Sequence, residues 1–166
     1  MTEANAHSTP VLYRTPSRGD LAGIQILDGE AFPDHRYPFF VLRQLLEASS
    51  SRSFVAVRPG ENHADRLVGY ALCIGEGKRA WLVSLAVSSD HRGRGIGFGL
   101  LERCVQLYRE QQGVDEVLLA VDPANEPAHN LFEGFGFSLV ERDNRYFGDG
   151  EPRDILIYKL PRPTIT

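Results

Sequence analysis

Apolar residues recur along the chain with two different spacings, which divide it into helical and strand-like segments. Near the N-terminus they repeat every three or four positions, the spacing that places them on one face of a helix. The pattern predicts a helix that opens at Asp20 and ends at the pair Phe32-Pro33, and a second helix over residues 39–48. A short strand, residues 11–14, precedes both. The apolar faces of these helices must cover another layer of structure.

The rest of the chain carries strand-like runs, then alternates helix and strand. Turn-forming residues separate the first three runs, which predicts an antiparallel meander. The predicted strands after the first are residues 53–58, 67–74, 80–87, 116–121, 137–142 and 154–160, and the later helices are residues 95–112 and 125–135. Strands followed by alternating helices and strands indicate an α/β (α+β) fold, a mixed sheet of about seven strands flanked by about four helices on both faces.

Composition and length narrow the class of protein. The 166 residues, 42% hydrophobic and 24% charged, predict one soluble domain over residues 11–160 with disordered tails at 1–10 and 161–166. A net charge of −4 disfavours nucleic acid as a partner. Cys73 and Cys104 lie in apolar segments and are expected to be buried thiols. We find no signal peptide, apolar span or metal motif, so we expect a cytoplasmic protein with no membrane contact, as a monomer or homodimer.

The turn between residues 87 and 98 has the composition of an anion site. An apolar strand ends at Leu85-Ala86-Val87 and leads through Arg92-Gly93-Arg94-Gly95-Ile96-Gly97 directly into an amphipathic helix. Main-chain N–H groups at a helix start, unshielded by Cβ atoms, can face a diphosphate, and the helix dipole and two guanidinium groups favour negative charge. The alternative is a turn that uses glycine only for tight geometry. The spacing matches neither a P-loop nor a dinucleotide-binding fingerprint.

Two motifs resemble the GNAT acetyltransferase superfamily. Arg92 to Gly97 resembles the family signature R-x-x-G-x-G, and the segment from Asn125 to Phe137 resembles its N-x-x-A-x-x-L-Y-x-x-x-G-F block. The resemblance implies the GNAT fold and acetyl-CoA as cosubstrate. It further implies that the backbone of Leu85, Ala86 and Val87 pairs with the pantetheine amides and that residues 92–97 hold the pyrophosphate. In the second block, Asn125 would contact the pantetheine arm and Phe132 would line the same coenzyme site.

The catalytic residues of the family are not matched in this chain. Phe132 stands where many members have the tyrosine that protonates the leaving thiolate, and Ala120 stands where N-terminal acetyltransferases often carry a glutamate base. We expect Tyr146 to supply the acid, ahead of Tyr108 and Tyr158, which look like packing residues. Asp122 and Glu30 are the candidate bases, although surface carboxylates are usually solvated. His91 and His129 are expected to be surface histidines.

The acceptor is the least specified part of the function. Aromatic residues in segments 32–40 and 145–151 resemble the acceptor-side loops of N-terminal protein acetyltransferases, and they could clamp an extended peptide. Core or hairpin aromatics are the alternative. The first hypothesis is acetylation of a primary amine, which includes a peptide or protein N-terminus. The second is acetylation of a small-molecule amine, attracted electrostatically by Asp34, Glu30 and Asp149. The third is a catalytically weak regulatory module that binds acyl-CoA.

Overall fold

The computed structural model describes residues 10–60, 65–111 and 113–162, and within them it confirms the predicted mixed sheet of seven strands with four α-helices. The sheet order is β1-β2-β3-β4-β5-β7-β6. The strands are β1 (Leu12–Arg14), β2 (Phe54–Arg58), β3 (Arg66–Glu76), β4 (Arg79–Val87), β5 (Glu116–Val121), β6 (Ser138–Asp143) and β7 (Arg153–Lys159). The helices are α1 (Leu21–Ala31), α2 (Phe39–Ser49), α3 (Ile96–Glu110) and α4 (Glu126–Phe135).

The element boundaries differ slightly from the predicted ones, for local reasons. The β3–β4 hairpin is longer than predicted because pairing continues out to Glu76 and Arg79, which closes on a tight turn with Gly77 at φ +77°. Helix α3 starts one residue later because Gly95 adopts a left-handed conformation as its N-cap. Most of the two predicted tails, residues 1–9 and 163–166, lies outside the described residues.

Helices cover both faces of the sheet, and each face has its own core. On one face, α3 and α4 bury a cluster with the sheet whose fully enclosed members include Leu100, Tyr108 and Leu156. On the other face, α1 and α2 bury a cluster that includes Ile24, Leu42 and Leu72. Cys73 and Cys104 are free thiols in the first cluster, as predicted. None of the helices among the described residues has the length and apolar character needed to cross a bilayer.

All neighbouring strands are antiparallel except β4 and β5, whose parallel pairing is short. These two strands pair only from Arg79 and Glu116 to Trp81 and Leu118, whereas β4 stays paired with β3 as far as Val87. The β3–β4 register shifts by one residue, so that Val83 is an extra residue on β4, a β-bulge. Beyond the bulge β4 and β5 diverge, and a wedge opens in the middle of the sheet.

Candidate active site

The wedge between β4 and β5 exposes main-chain edges where a substrate could form hydrogen bonds. On the β4 side, the residues from Leu82 to Val87 have a strand partner only in β3 among the described residues. On the other side, β5 continues as far as Val121, paired with β7. Backbone N–H and C=O groups in such a gap require partners, so an extended chain with amide groups fits it. Leu85, Ala86 and Val87, the predicted pantetheine-binding residues, form the end of this free edge.

The turn that joins β4 to α3 leaves open space beside its glycines. Gly93 and Gly95 have φ of +72° and +79°, and a Cβ added to either would meet no heavy atom within 4 Å. The first main-chain bond of α3 runs from the Gly99 N–H to the Gly95 carbonyl, 2.9 Å. The N–H groups of Ile96 and Gly97 therefore face outward from the helix start without a partner four residues back. The turn has the open amides that an anion requires.

Gly97 lacks a side chain for a different reason. A Cβ there would lie 3.1 Å from Cδ2 of Leu131 on α4 and 3.7 Å from Cγ2 of Val87. Its backbone is not left-handed, unlike that of Gly93 and Gly95. The third glycine of the motif thus lets α4 pack closely against α3. Phe98 and Phe135 continue the same contact, with ring centroids 5.0 Å apart.

Positive charge surrounds the start of this turn. Arg92 and Arg94 are exposed, and the Arg92 Nε donates to the Val87 carbonyl at 3.2 Å. His91 is 5% exposed, so the prediction of a surface histidine was wrong. Burial and then the charges of Arg58, Arg94 and Arg66 lower the pKa of His91. These arginines therefore create a positive potential at the place where a diphosphate would bind.

The contacts of His91 support the start of the turn. Its Nε2 lies 3.3 Å from Nη1 of Arg58, which can only donate. The neutral ring therefore carries its proton on Nδ1, which donates to Oγ of Ser88 at 2.8 Å. The buried ring fills the space beneath the turn and ties it to β2. Sequence reasoning placed this residue at the surface because nothing along the chain indicates the approach of Arg58.

The two coenzyme residues of the second motif lie on α4. The Asn125 side chain accepts from the Ala128 N–H at 3.2 Å and caps the helix. Phe132 is 7% exposed and packs edge-on against Phe137, with centroids 5.9 Å apart. The coenzyme roles of these two residues stay predictions. Phe132 offers only carbon atoms, and so does Ala120 on β5.

Two loops that each carry a tyrosine lie side by side on the other face of the sheet. Tyr37, in the loop between α1 and α2, is half-buried, and its hydroxyl lies 3.5 Å from the carbonyl oxygen of Val83 at the β4 bulge. Tyr146, in the loop between β6 and β7, is 37% exposed. The pKa of Tyr37 is raised by burial and by the nearby Asp28 and Tyr146 groups. Tyr146 is therefore near enough for its charge to act on Tyr37, and the Tyr37 hydroxyl itself lies beside the wedge.

The same two loops are held together by a contact at their outer edge. His35 stacks on Phe147, with centroids 5.7 Å apart, and its Nε2 lies 3.2 Å from Oε2 of Glu151. On β7, Arg153 lies over the Phe147 ring at 4.6 Å. We call this set of residues the loop contact. It joins two segments that are more than a hundred residues apart in the sequence.

A buried carboxylate that sequence reasoning missed lies under this site. Asp28 on α1 is 1% exposed and accepts hydrogen bonds from the Tyr37 N–H and the Tyr70 hydroxyl. A signal for it was present in the sequence. Asp28 follows the buried Leu21 and Ile24 by seven and four positions, so it lies on the apolar face of the helix.

The predicted carboxylate bases are both exposed. Asp122 accepts from the Ala124 N–H at 2.9 Å, which closes the turn after β5. Glu30 borders a hollow of about 490 Å³ between α1 and the start of α2, which Tyr37 and Phe39 also line. Neither carboxylate takes part in the loop contact, and their catalytic roles stay predictions.

Comparison with known proteins agrees with this geometry. The family model described as Acetyltransferase (GNAT) family matches residues 21–137. An N-alpha-acetyltransferase of Sulfurisphaera tokodaii is 32% identical over 73% of this chain and 76% of its own, and one of Sulfolobus acidocaldarius is 26% identical over 91% and 94%. The crystal structure of the NatC complex bound to Gag peptide and CoA contains a chain with a TM-score of 0.81 and 26% identity, over 91% of this chain and 99% of that one. The chain therefore belongs to the GNAT family and is an acetyl-CoA-dependent N-acetyltransferase.

Proposed function

We propose that the acceptor is the α-amino group at the N-terminus of a peptide or protein. The observation that carries this proposal is the contact between two aromatic loops next to the wedge between β4 and β5: His35 stacks on Phe147, and the Tyr37 hydroxyl lies 3.5 Å from the Val83 carbonyl oxygen. Two aromatic loops joined by the contact of His35 with Phe147 and Glu151 leave an acceptor surface bordered by rings and backbone carbonyls. Such a surface suits an extended peptide, which offers backbone groups and side chains at once.

Two relatives support a peptide acceptor. The proteins of Sulfurisphaera tokodaii and Sulfolobus acidocaldarius are both named N-alpha-acetyltransferase. The NatC complex, 26% identical in the chain compared, was crystallised with a Gag peptide and CoA. A small cationic amine is less well supported than a peptide as the acceptor. The carboxylate of Asp149, which could attract such an amine, is already paired with Arg145.

Residues on the two faces of the sheet would bind different substrates, acetyl-CoA on one face and the acceptor on the other. The open amides of Gly93 to Gly97, with Arg92 and Arg94, would hold the diphosphate, and the free edge from Leu85 to Val87 would pair with the pantetheine amides. Acetyl-CoA supplies an acetyl thioester at the wedge. Holding the amine in line with the thioester carbonyl provides much of the rate, because a positioned pair reacts with an effective molarity far above any solution concentration.

The proton balance of the transfer requires one base and one acid. The attacking amine must lose a proton as its nitrogen bonds the carbonyl carbon, and the sulfur gains one as the C–S bond breaks. The Tyr146 hydroxyl is our proposed donor to the sulfur, since Phe132 has no exchangeable proton. Asp122 and Glu30 are the proposed acceptors of the proton from the amine, through water, because both are exposed.

Thiol release from acetyl-CoA in the presence of matched peptides tests this proposal. One peptide has a free N-terminus and no lysine, the second has a blocked N-terminus and one lysine, and a third arm contains polyamines and amino acids. We expect turnover with the first peptide, and tandem mass spectrometry should locate the acetyl group on its α-amine. Turnover with the small amines alone would replace the peptide acceptor by a small-molecule one.

A further inference from the structure

The carboxylate of Asp28 joins four elements of the fold directly beneath the acceptor loop. Its Oδ2 accepts the Tyr37 N–H at 2.7 Å, and its Oδ1 accepts the Tyr70 hydroxyl at 2.9 Å. The Tyr70 oxygen in turn lies 2.9 Å from Oγ of Ser84. The Asp28 side chain, which is 1% exposed, therefore links helix α1 directly to the α1–α2 loop and β3, and through Tyr70 to β4.

The loop has little else to hold its backbone. Between α1 and α2, residues 32–38 form one internal main-chain bond, from the His35 N–H to the Phe32 carbonyl at 3.1 Å. Pro33 and Pro38 have no N–H to donate. The Pro38 carbonyl accepts the first bonds of α2, from Val41 and Leu42, and the bond from Tyr37 to Asp28 fixes the loop residue just before this N-cap.

The position of the Tyr37 ring follows from this backbone bond. The ring packs against the core between the helices α1 and α2 and the sheet, and its hydroxyl points to the Val83 carbonyl at 3.5 Å. Ser84, the next residue along β4, is the far end of the hydrogen-bonded chain that starts at Asp28. The same carboxylate thus controls where the loop tyrosine lies and connects it to the strand beside the wedge.

We propose that Asp28 is a positioning residue for the acceptor site, which holds the α1–α2 loop through the Tyr37 N–H; this rests on the proposed function. Asp28 contacts no reacting group in this arrangement. Asp28 acts on the reaction only through the loop. Its loss should therefore weaken the binding of the acceptor and leave the binding of acetyl-CoA unchanged.

Two substitutions of Asp28 distinguish this role from general packing: one removes the hydrogen-bond acceptor and the other keeps it. Asp28→Ala loses the bond to Tyr37. Asp28→Asn keeps it, because the amide oxygen accepts from Tyr37 while the NH₂ group donates to Tyr70, whose hydroxyl then donates to Ser84. Tyr70→Phe is the matched control, because it removes the other partner of Asp28 and leaves the Tyr37 bond in place. All three changes lie in the same buried network.

Steady-state kinetics with a peptide acceptor, calorimetry with acetyl-CoA and amide exchange at Tyr37 provide the readouts. We expect Asp28→Ala to raise the acceptor KM about tenfold, the value of one lost hydrogen bond to a charged group, with coenzyme affinity unchanged and the Tyr37 amide exchanging faster. Asp28→Asn and Tyr70→Phe should keep the wild-type KM within about twofold. If Asp28→Ala does not fold, Asp28→Leu replaces it, since leucine fills the volume and accepts no hydrogen bond.

Three results would overturn this role. An unchanged KM in Asp28→Ala or Asp28→Leu shows that the loop does not need the bond. An equal rise in Tyr70→Phe shows that the network acts only as packing, and a parallel loss of coenzyme affinity shows a general structural effect. If the wild-type protein acetylates none of the peptides, the proposed function itself is wrong. If the wild-type protein is active and all the variants have its KM, only the role of Asp28 is wrong.

Discussion

The proposed coenzyme side and the proposed acceptor side of this molecule are built in different ways. The proposed coenzyme side is one continuous stretch, from Leu85 at the end of β4 to the start of α3, and it offers main-chain groups and glycines. The acceptor side comes from the α1–α2 loop and the β6–β7 loop, which are joined by side chains: Tyr37 to Asp28, and His35 to Glu151 and Phe147. One side depends on the local path of the backbone and the other on contacts between distant segments.

The difference matches what each side must recognise. A diphosphate has the same charge and shape in every acetyl-CoA molecule, so backbone amides at a helix start suit it. An acceptor varies in its side chains, and a surface built from side chains can be adjusted one residue at a time. Substitutions on the coenzyme side should therefore abolish binding, whereas those on the acceptor side should alter it by degrees.

The strongest test of the coenzyme side is Gly95→Val. The open space beside Gly95 is where a diphosphate would lie, and valine would fill it, so we expect acetyl-CoA affinity to fall more than about 100-fold, or roughly 2.7 kcal/mol. Gly77→Val is the control, because its φ of +77° resembles the +79° of Gly95, and its added Cβ also meets nothing within 4 Å. Calorimetry should find normal affinity in Gly77→Val, and a shared loss would assign the effect to backbone strain.

On the acceptor side, Tyr146→Phe tests the proposed acid. We expect kcat to fall about tenfold, because the leaving thiolate loses its proton donor, with acetyl-CoA affinity unchanged. Tyr158→Phe is the control, since the Tyr158 hydroxyl accepts a hydrogen bond from Arg109 and its ring packs against Phe135 and Phe137, on the opposite face. Equal kcat values for wild type and Tyr146→Phe would leave the acid unassigned.

The loop contact should have a smaller effect. His35→Ala removes the stacking on Phe147 and the interaction with Glu151, so we expect the acceptor KM to rise about threefold, in the range of one exposed ion pair. Asp149→Ala is the control, because its ion pair with Arg145 stays within the β6–β7 loop and joins nothing to the α1–α2 loop. The idea that the contact holds the two loops together fails if both variants show the same KM.

The smallest expected effect is on the free energy of unfolding, where two buried aspartates, Asp28 and Asp20, should behave in opposite ways. Burial raises the pKa of Asp28, against the lowering effect of its bonds from Tyr37 and Tyr70. The folded state therefore binds its proton more tightly than the unfolded state does, so the stability that Asp28 contributes is lost as pH rises through the folded pKa. Above the folded pKa the charged side chain costs stability, and we expect Asp28→Asn to be more stable than the wild type at about pH 8, by roughly 0.5 kcal/mol or about 1–2 °C in Tm.

Asp20 provides the opposite case. Burial raises its pKa, but the bonds from Arg14 and Ser17 outweigh burial and the pKa is lowered overall. Its contribution is present at neutral pH and is lost as pH falls through the folded pKa. Asp20→Asn should therefore destabilise the protein at about pH 8, with the deficit shrinking only as pH falls below about 4. Melting curves of both variants at about pH 8 and at about pH 3 check the signs, and shifts of the same sign at about pH 8 would contradict this account.

Several features of the site could be predicted because they depend on neighbours along the chain. The glycines at positions 93 and 95, the strand before them and the helix after them are local, and the structure has them in the predicted order. Tyr146 could be selected only as a hydroxyl in a terminal hairpin, and its approach to Tyr37 required the fold. Gly97 looked like its neighbours in the motif, yet its neighbour in space is Leu131.

The sequence by itself determined the architecture, the family and the glycine turn between β4 and α3, since apolar periodicity and left-handed glycines act over a few residues. Only the tertiary structure decided that Asp28 lies beneath the α1–α2 loop, that His91 is buried next to Arg58, and that β4 and β5 part after Trp81. These features arise from contacts between residues that are distant in sequence. Their geometry is set by how the helices and strands pack, which no short segment encodes.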